Sequence, residues 1–231
     1  MIFNQQKKIQ EITIQEDSMD KISIIIRNRN EQDYIGFAIQ SCLDFFERPE
    51  IIVVDNNSTD SSIEIVNLFS DRTDIKILYN KSYTPGKSIN LGVKNSTSDY
   101  IMILSAHSQI KELDFEIVKD NLKKHSAVFG KQIPVYKGKK ITPRYIWNHF
   151  GDEKVVNMFS KSEKRYFFHN AFSFFKKNTL EKFPFDEIHP GKEDRFWVND
   201  LIENKGTYVY EPRLQINHFY TQSGATWKGI G

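Results

Sequence analysis

Polar side chains that could bind a ligand or move a proton occur in four short segments of the sequence. Three of these segments, 27–30, 55–60 and 105–107, each follow a short run of apolar or β-branched residues. The fourth is the acid pair Glu193-Asp194, which follows a Pro-Gly turn. A carboxylate placed at a substrate can act as a general base. Acids at the first turn of a helix also stabilise the positive end of its dipole, so both roles are open.

Strands and helices alternate in the first half of the chain. Runs such as Ile24-Ile25-Ile26 are typical of a strand buried on both faces, whereas apolar spacings of three and four predict helices. The predicted segments are strand 22–26, helix 34–46, strand 51–54, helix 63–69, strand 75–78, helix 86–95 and strand 100–104. This order indicates βαβ units and a parallel sheet. Ligands bind beyond the carboxyl ends of such strands, so the three polar segments should share one rim.

The second half is less regular. An apolar strand is predicted at 167–175, a loop at 183–190, a helix at 193–204 and a last strand at 207–210. Residues 1–21 are polar and are interpreted as an N-terminal arm ahead of one domain that spans 22–231. Segment 222–227, with its glycine, is interpreted as a closing segment over a ligand.

Composition excludes several classes of protein. The chain has 231 residues, a formal net charge of +2 and 13% aromatic residues, which predicts a folded domain rather than a disordered chain. No apolar run is long enough for a membrane span or a signal peptide, so a cytoplasmic protein is expected. The single Cys42 excludes an internal disulfide and fits a core thiol. The balanced charge argues against a nucleic-acid partner.

One charge asymmetry remains. Residues 121–151 contain seven Lys or Arg and no Asp or Glu. This stretch is either a solvated surface, with Lys137, Lys139 and Lys140 on a turn around Gly138, or a basic face for phosphates or for the inner face of a membrane.

The motifs together resemble glycosyltransferase family 2. The resemblance is carried by the strand-end string Arg-Asn-Arg-Asn-Glu, the string Val-Val-Asp-Asn-Asn-Ser-Thr-Asp, the stretch 86–92, the stretch 191–195 and His218. It implies an α/β GT-A fold, with a Rossmann-like, mostly parallel central sheet flanked by helices. Residues 22–107 would be the nucleotide-binding half and 108–231 the acceptor-binding and catalytic half. The later segments look most like enzymes that build bacterial surface polysaccharides such as capsule or O-antigen, rhamnosyltransferase-like members among them.

The resemblance implies transfer of a sugar from a nucleotide donor to an acceptor hydroxyl, on a glycan or a lipid-linked glycan. Asp194 then matches the general base of an inverting enzyme, with Glu193 or Arg195 orienting it. The donor-binding residues would be Arg27, Asn28, Asn30, Asp55, Asn56, Lys87, Ser105 and His107. Alternatively, Asp55 and its neighbours only cap the following helix, and Lys87 is an ordinary helix-start lysine. Residues 86–88 lack the first glycine of an ATP-binding loop, because Lys81 stands in its place.

The sequence departs from the family at the metal position. Family members usually carry D-x-D where this chain has Ser105-Ala106-His107, so dependence on Mn²⁺ or Mg²⁺ is an open question. By resemblance to other GT-A enzymes, His107 and His218 could hold a reduced metal site, because neutral imidazole favours Mn²⁺ or Zn²⁺ over Mg²⁺. The alternative is transfer without a metal, with His107, Lys87 and other basic residues stabilising the leaving diphosphate.

Candidate acceptor-binding residues lie in the second half. They are His169, Asn170, Arg195 and Trp197, and Trp227 is a further candidate for stacking on a sugar. For His169 and for each tryptophan, packing in the core is the competing interpretation. Two other functions stay open: a nucleotide-sugar-binding module without catalysis, which the missing D-x-D favours and the acid pair opposes, and a nucleotidyltransferase, which the absence of glycine at 27–30 opposes.

Overall fold

A computed structural model describes residues 21–136, 139–140 and 145–221. The first half alternates strands and helices as predicted: β1 Ile22–Asn28, α1 Ile35–Phe45, β2 Glu50–Asp55, α2 Ser62–Asn67, β3 Asp74–Tyr79, α3 Pro85–Asn95 and β4 Tyr100–Ser105. The second half contains β5 Ser108–Glu112, α4 Phe115–Leu122, β6 Ala127–Tyr136, β7 Lys139–Lys140, a 3₁₀ helix Tyr145–His149, β8 Val155–Val156, β9 Phe159–Ser160, β10 Arg165–Tyr166, β11 Phe172–Lys176, α5 Lys177–Lys182, α6 Glu193–Glu203 and β12 Tyr208–Phe219.

One large sheet runs through the described part of the chain. Its strand order is β3-β2-β1-β4-β11-β6-β12-β5, with β7 added to β6 and β8 added to β12. Strands β3, β2, β1 and β4 are parallel, which confirms the parallel sheet predicted for the first half. Strand β11 is antiparallel to both β4 and β6, whereas β12 is parallel to β6 and antiparallel to β5. The short β9–β10 hairpin stands apart from this sheet.

Apolar side chains cover both faces of the sheet. Successive residues of a strand point to opposite faces, so Ile25 of β1 joins one apolar cluster and its neighbours Ile24 and Ile26 join the other. Cys42 is a buried free thiol on α1, as predicted, and burial raises its pKa. No helix among the described residues is both long enough and apolar enough to cross a bilayer.

The structure differs from the sequence prediction mainly in the second half. Strand β6 was not predicted, because Gly130 and Pro134 interrupt it. Gly130 is required there, since a Cβ atom would overlap the Phe172 ring and the carbonyl oxygen of Leu214. The last strand is longer than predicted, because pairing with β6 resumes after an irregularity between Glu211 and Gln215. Of the predicted strand 167–175, only the part from Phe172 onward pairs.

Three predicted features fall outside the described residues. They are the N-terminal arm up to residue 20, the turn around Gly138 with its lysine side chains, and the segment 222–227 with Trp227. Within the basic stretch, Lys131 forms an ion pair with Asp152.

Candidate active site

The carboxyl ends of β1, β2 and β4 bring the three polar segments together, as the parallel sheet requires. Asn28 at the end of β1 pairs in register with Asp55 at the end of β2. On the other side of β1, Arg27 pairs with Ser105 at the end of β4. Residues separated by about eighty positions in sequence therefore lie on adjacent strands of one rim.

Asp55 is buried, and the protein itself occupies both of its carboxylate oxygens. Oδ1 accepts hydrogen bonds from Asn28 Nδ2 at 2.8 Å and from the Ser58 hydroxyl at 2.6 Å. Oδ2 accepts one from the backbone N–H of Ser58 at 2.9 Å. The Asp55 side chain thus satisfies a backbone N–H three residues along the chain, just after its own strand. Asp55 thus shapes the loop, and the neighbouring Asn56 is buried beside it.

Asn30 joins the loop after β1 to the loop after β2. Its backbone N–H donates to the Ser58 hydroxyl at 2.9 Å, and its Oδ1 accepts from the Thr59 N–H at 2.8 Å. Asn30 and Asn57 both adopt left-handed backbone conformations, with φ of 54° and 52°. Asparagine tolerates this region better than most residues. The two loops therefore form one braced edge of the site.

Four side chains from three elements meet at a second edge. Arg27 donates from Nη2 to Asn170 Oδ1 at 2.9 Å, and its Nη1 lies 3.5 Å from Glu193 Oε1. The backbone N–H of Asn170 donates to Asp194 Oδ2 at 3.2 Å. Three buried atoms of this cluster have no hydrogen-bond partner among the described residues: Asp194 Oδ1, Glu193 Oε2 and Asn170 Nδ2. The cluster thus contains two acceptor atoms and one donor atom whose hydrogen bonds the described residues do not satisfy, and a bound substrate could satisfy them.

Asp194 is the strongly perturbed acid of this cluster. Burial raises its pKa well above the ordinary value, and the adjacent Glu193 carboxylate adds to the rise. Arg27, the Asn170 N–H and Arg165 oppose it. A carboxylate with a raised pKa is a stronger base than an exposed one, and such groups concentrate at functional sites.

Histidines surround the position where D-x-D would stand. His107 Nδ1 donates to Glu31 Oε1 at 3.0 Å, and its Nε2 lies 3.2 Å from the Ser105 hydroxyl. The His107 and His218 rings lie 4.9 Å apart, centroid to centroid. His218, on β12, is fully buried, and burial together with His107 and His169 lowers its pKa.

The hydrogen bonds around Gln132 assign the protons on these rings. The Ala171 N–H donates to His169 Nδ1, so that nitrogen is an acceptor. Gln132 must then donate its amide N–H to His169 Nδ1, at 2.9 Å, and turn its Oε1 to His218 Nδ1, at 2.7 Å. His218 Nδ1 therefore carries a proton, as His107 Nδ1 does toward Glu31. In their neutral forms both rings have the lone pair on Nε2, which is the ligating nitrogen when Nδ1 bonds an acceptor.

The separation of the His107 and His218 rings is compatible with one ion between them. A metal about 2.1 Å from Nε2 lies roughly 3.3 Å from the ring centroid, so two rings on one ion have centroids about 4.6–5.4 Å apart. The observed 4.9 Å lies within this range. No group of three His, Cys, Asp or Glu that could hold an ion occurs in the described part of the chain. Cations that bridge phosphates commonly take only one or two protein ligands and complete their shell with phosphate and water.

Lys87 and Gly86 lie at the start of α3, beside the loop that precedes α6. Lys87 lines a surface pocket of about 300 Å³ with Asn80 and Glu187. Asn80 follows β3 and donates its N–H to the Asp55 carbonyl, so this pocket adjoins the strand-end rim. Gly86 packs against the backbone of Asp186, and a Cβ atom would overlap that carbonyl. The glycine serves close packing and not a phosphate loop.

The structure corrects one acceptor assignment. Trp197 is 1% exposed, donates from Nε1 to the Phe183 carbonyl at 2.8 Å and packs among phenylalanine rings. It cannot stack on a sugar, because α6 turns it into the core. His169 is also mostly buried, and burial, with Arg27, Arg165 and His107, lowers its pKa to about 3. Arg195, on the same helix, is exposed.

Sequence reasoning missed three residues that the fold brings to the site. Glu31 belongs to the polar string at the end of β1, but no sequence signal indicated its role. In the structure its carboxylate accepts a hydrogen bond from His107 and orients that ring. Gln132 bridges His169 and His218 from the unpredicted strand β6. Arg165, from the β9–β10 hairpin, lowers the pKa of Asp194. The latter two carry no local signal, since their contacts are long-range in sequence.

A parallel half-sheet with polar strand ends, joined to a mixed half that supplies an acid at a helix start, is the arrangement expected of a glycosyltransferase of GT-A fold. The model of the family "Glycosyl transferase family 2" matches residues 23–184. The chain therefore belongs to glycosyl transferase family 2.

Curated relatives act in bacterial surface-glycan synthesis. The chain is 27% identical over 217 residues to GalNAc(5)-diNAcBac-PP-undecaprenol beta-1,3-glucosyltransferase of Campylobacter jejuni. The alignment covers 90% of this chain and 68% of that protein. It is also 27% identical to the minor teichoic acid biosynthesis proteins GgaB and GgaA of Bacillus subtilis, over 88% and 84% of this chain. It spans only 23% and 47% of those two proteins.

Among solved structures, the fold matches residues 1–349 of S. aureus TarS in complex with UDP-GlcNAc. The TM-score is 0.70 at 17% identity, over 90% of this chain and 61% of that chain. The complex of the same protein with UDP matches with a TM-score of 0.68. The likeness confirms the predicted GT-A fold.

Proposed function

We propose that this domain transfers a sugar from a nucleoside-diphosphate sugar to a hydroxyl group of a bacterial envelope glycan, with inversion at the anomeric carbon. The observation that carries the proposal is Asp194, a half-buried acid whose pKa is raised and whose Oδ1 has no hydrogen-bond partner among the described residues. A base of this kind removes the proton from an acceptor hydroxyl as that oxygen attacks the sugar.

The chain's own residues supply the remaining steps. The loops after β1 and β2, which hydrogen bonds hold together, would bind the nucleoside. Asn28, Asn30 and Asn56 would contact it, and Asp55 would stabilise the loops. Lys87, at the pocket beside this rim, would contact the diphosphate. Asn170, whose Nδ2 has no partner among the described residues, would donate to a sugar oxygen next to the base.

The proposal includes a metal held by His107 and His218, with Ser105 alongside. A bound divalent cation would neutralise charge on the departing diphosphate. Glu31 and Gln132 would keep the two rings in the tautomer that presents Nε2. The imidazole donor set favours Mn²⁺ or Zn²⁺ over Mg²⁺.

The acceptor proposal rests on the relatives. One printed name specifies a glycan on undecaprenol diphosphate and two specify teichoic acid. We therefore propose an envelope glycan, carried on a lipid, as the acceptor. Arg195 is exposed on the helix that carries Asp194 and is the candidate contact for it.

A thermal-shift screen followed by product analysis tests the function. The chain is heated with UDP-, dTDP-, GDP- and CMP-sugars, with and without Mn²⁺, because a ligand at a hundredfold its Kd stabilises the folded state by about 2.7 kcal/mol. One nucleotide class should raise the unfolding midpoint, and NMR of the product formed from that donor should show the inverted anomer. A retained anomer, or no midpoint change with any donor, would refute the proposal.

A further inference from the structure

Arg27 lies near the end of β1, in the proposed nucleotide-binding half. Its side-chain partners, however, lie in the proposed acceptor-binding and catalytic half. Nη2 donates to Asn170 Oδ1 at 2.9 Å, and Nη1 lies 3.5 Å from Glu193 Oε1. Its side chain is only 17% exposed. The guanidinium thus uses two different nitrogens to join β1 to the segment before β11 and to the start of α6.

Asn170 connects this arginine directly to Asp194. The side chain of Asn170 is held by Arg27, and its backbone N–H donates to Asp194 Oδ2 at 3.2 Å. Asp194 Oδ1 has no hydrogen-bond partner among the described residues. One carboxylate oxygen is therefore tied to the Arg27–Asn170 unit, and the other is left for a substrate.

We propose that Arg27 is a positioning residue for Asp194, holding Asn170 and Glu193 so that the carboxylate keeps its orientation and its negative charge. The inference rests on the proposed role of Asp194 as the base, and it gives Arg27 a function other than donor binding.

The charges around Asp194 explain why a cation is needed here. Glu193 is the next residue on α6 and raises the pKa of Asp194, whereas Arg27 from β1 and Arg165 from β10 lower it. His169 lies nearby as a neutral imidazole, since its pKa is lowered to about 3. Arg27 also forms the ion pair with Glu193. Its removal would leave Arg165 as the remaining arginine that opposes the effect of Glu193, so the pKa of Asp194 would rise further.

An arginine suits this place better than a lysine. The guanidinium offers several donors in a rigid fork, so it bonds two acceptors at once. A lysine would keep the charge but would reach only one of Asn170 and Glu193. Arg27→Lys should therefore preserve most of the electrostatic effect on Asp194 and lose part of the orientation, whereas Arg27→Gln should lose the charge.

The test measures the Asp194 carboxyl directly, by ¹³C NMR titration of the full chain without substrate. Asp194→Asn identifies the signal. Arg27→Gln should raise the pKa of Asp194 by about 1–3 pH units, the range expected for loss of an adjacent arginine, and Arg27→Lys by less. Arg29→Gln is the matched control, since Arg29 is two residues along the same segment and exposed. It should leave the signal unchanged.

Kinetics of transfer supply the second readout. Arg27→Gln should lower kcat and move the acid limb of the pH profile upward by the same amount, with the KM for the donor within about twofold of wild type. An unchanged Asp194 titration in Arg27→Gln, or a raised donor KM at unchanged kcat, would overturn the inference and return Arg27 to donor binding. Substantial transfer by Asp194→Asn would instead refute the proposed function. The NMR titration of Asp194 in Arg27→Gln does not depend on that outcome.

Discussion

Replacing Asp194 with Asn separates its chemical role from its structural one. The amide oxygen of Asn can still accept the Asn170 N–H, so the hydrogen bond now measured at 3.2 Å should survive. What is lost is the ability to take a proton from the acceptor. General bases contribute about 10²–10⁴-fold to rate, which corresponds to about 3–5 kcal/mol of barrier. We expect kcat to fall by that factor while the donor affinity stays near the wild-type value.

The same substitution should stabilise the fold at neutral pH. Burial raises the pKa of Asp194, so the folded state binds this proton more tightly than the unfolded chain does. That contribution to the free energy of unfolding is fully present at low pH and is lost as the pH rises through the folded-state pKa. Asn does not ionise. The unfolding midpoint of Asp194→Asn should therefore exceed that of wild type at pH 8, and the gap should close as the pH is lowered.

The assay combines single-turnover transfer with thermal unfolding across pH. Asp200→Asn is the matched control, because it makes the same change on the exposed side of the same helix. It should alter neither rate nor the pH dependence of stability. A kcat within tenfold of wild type for Asp194→Asn would refute its role as base. Lower stability of this variant at pH 8 would refute the account of a buried, disfavoured charge.

Three further predictions concern the rest of the site. In the presence of UDP and Co²⁺, the wild-type chain should give the visible spectrum of imidazole-bound Co²⁺. His107→Ala should lose this spectrum, and the control His125→Ala should keep it. An unchanged spectrum in His107→Ala would contradict the metal site. Asp55→Asn should lower the free energy of unfolding by about 1–3 kcal/mol in urea denaturation, because the new amide N–H would face another donor, either the Ser58 N–H or Asn28 Nδ2. Wild-type stability would show that Asp55 does not shape the loop. Gly86→Ala should cost about 1–3 kcal/mol by overlap with backbone, measured in the same way, and a neutral effect would contradict the close packing.

The strands of the first half were predictable because their signal is local. Consecutive β-branched residues such as Ile24-Ile25-Ile26 are typical of a strand buried on both faces of a parallel sheet, and such a sheet places the strand ends on one rim. Strand β6 was not predictable, because Gly130 and Pro134 are breakers by local rules. The positions of the Phe172 ring and the Leu214 carbonyl oxygen explain why glycine is required there.

The roles of individual residues likewise divide into those that the sequence indicates and those that only the structure shows. The sequence alone determined the alternation of strands and helices, the acid pair at a helix start and the departure from D-x-D at Ser105-Ala106-His107, because each is a matter of residue type and short spacing. Only the tertiary structure decided that Arg27 bonds Asn170, that Gln132 assigns the tautomer of His218 and that Trp197 lies in the core. Those outcomes depend on contacts between residues far apart in the chain, and the packing of the sheet brings them within hydrogen-bond distance.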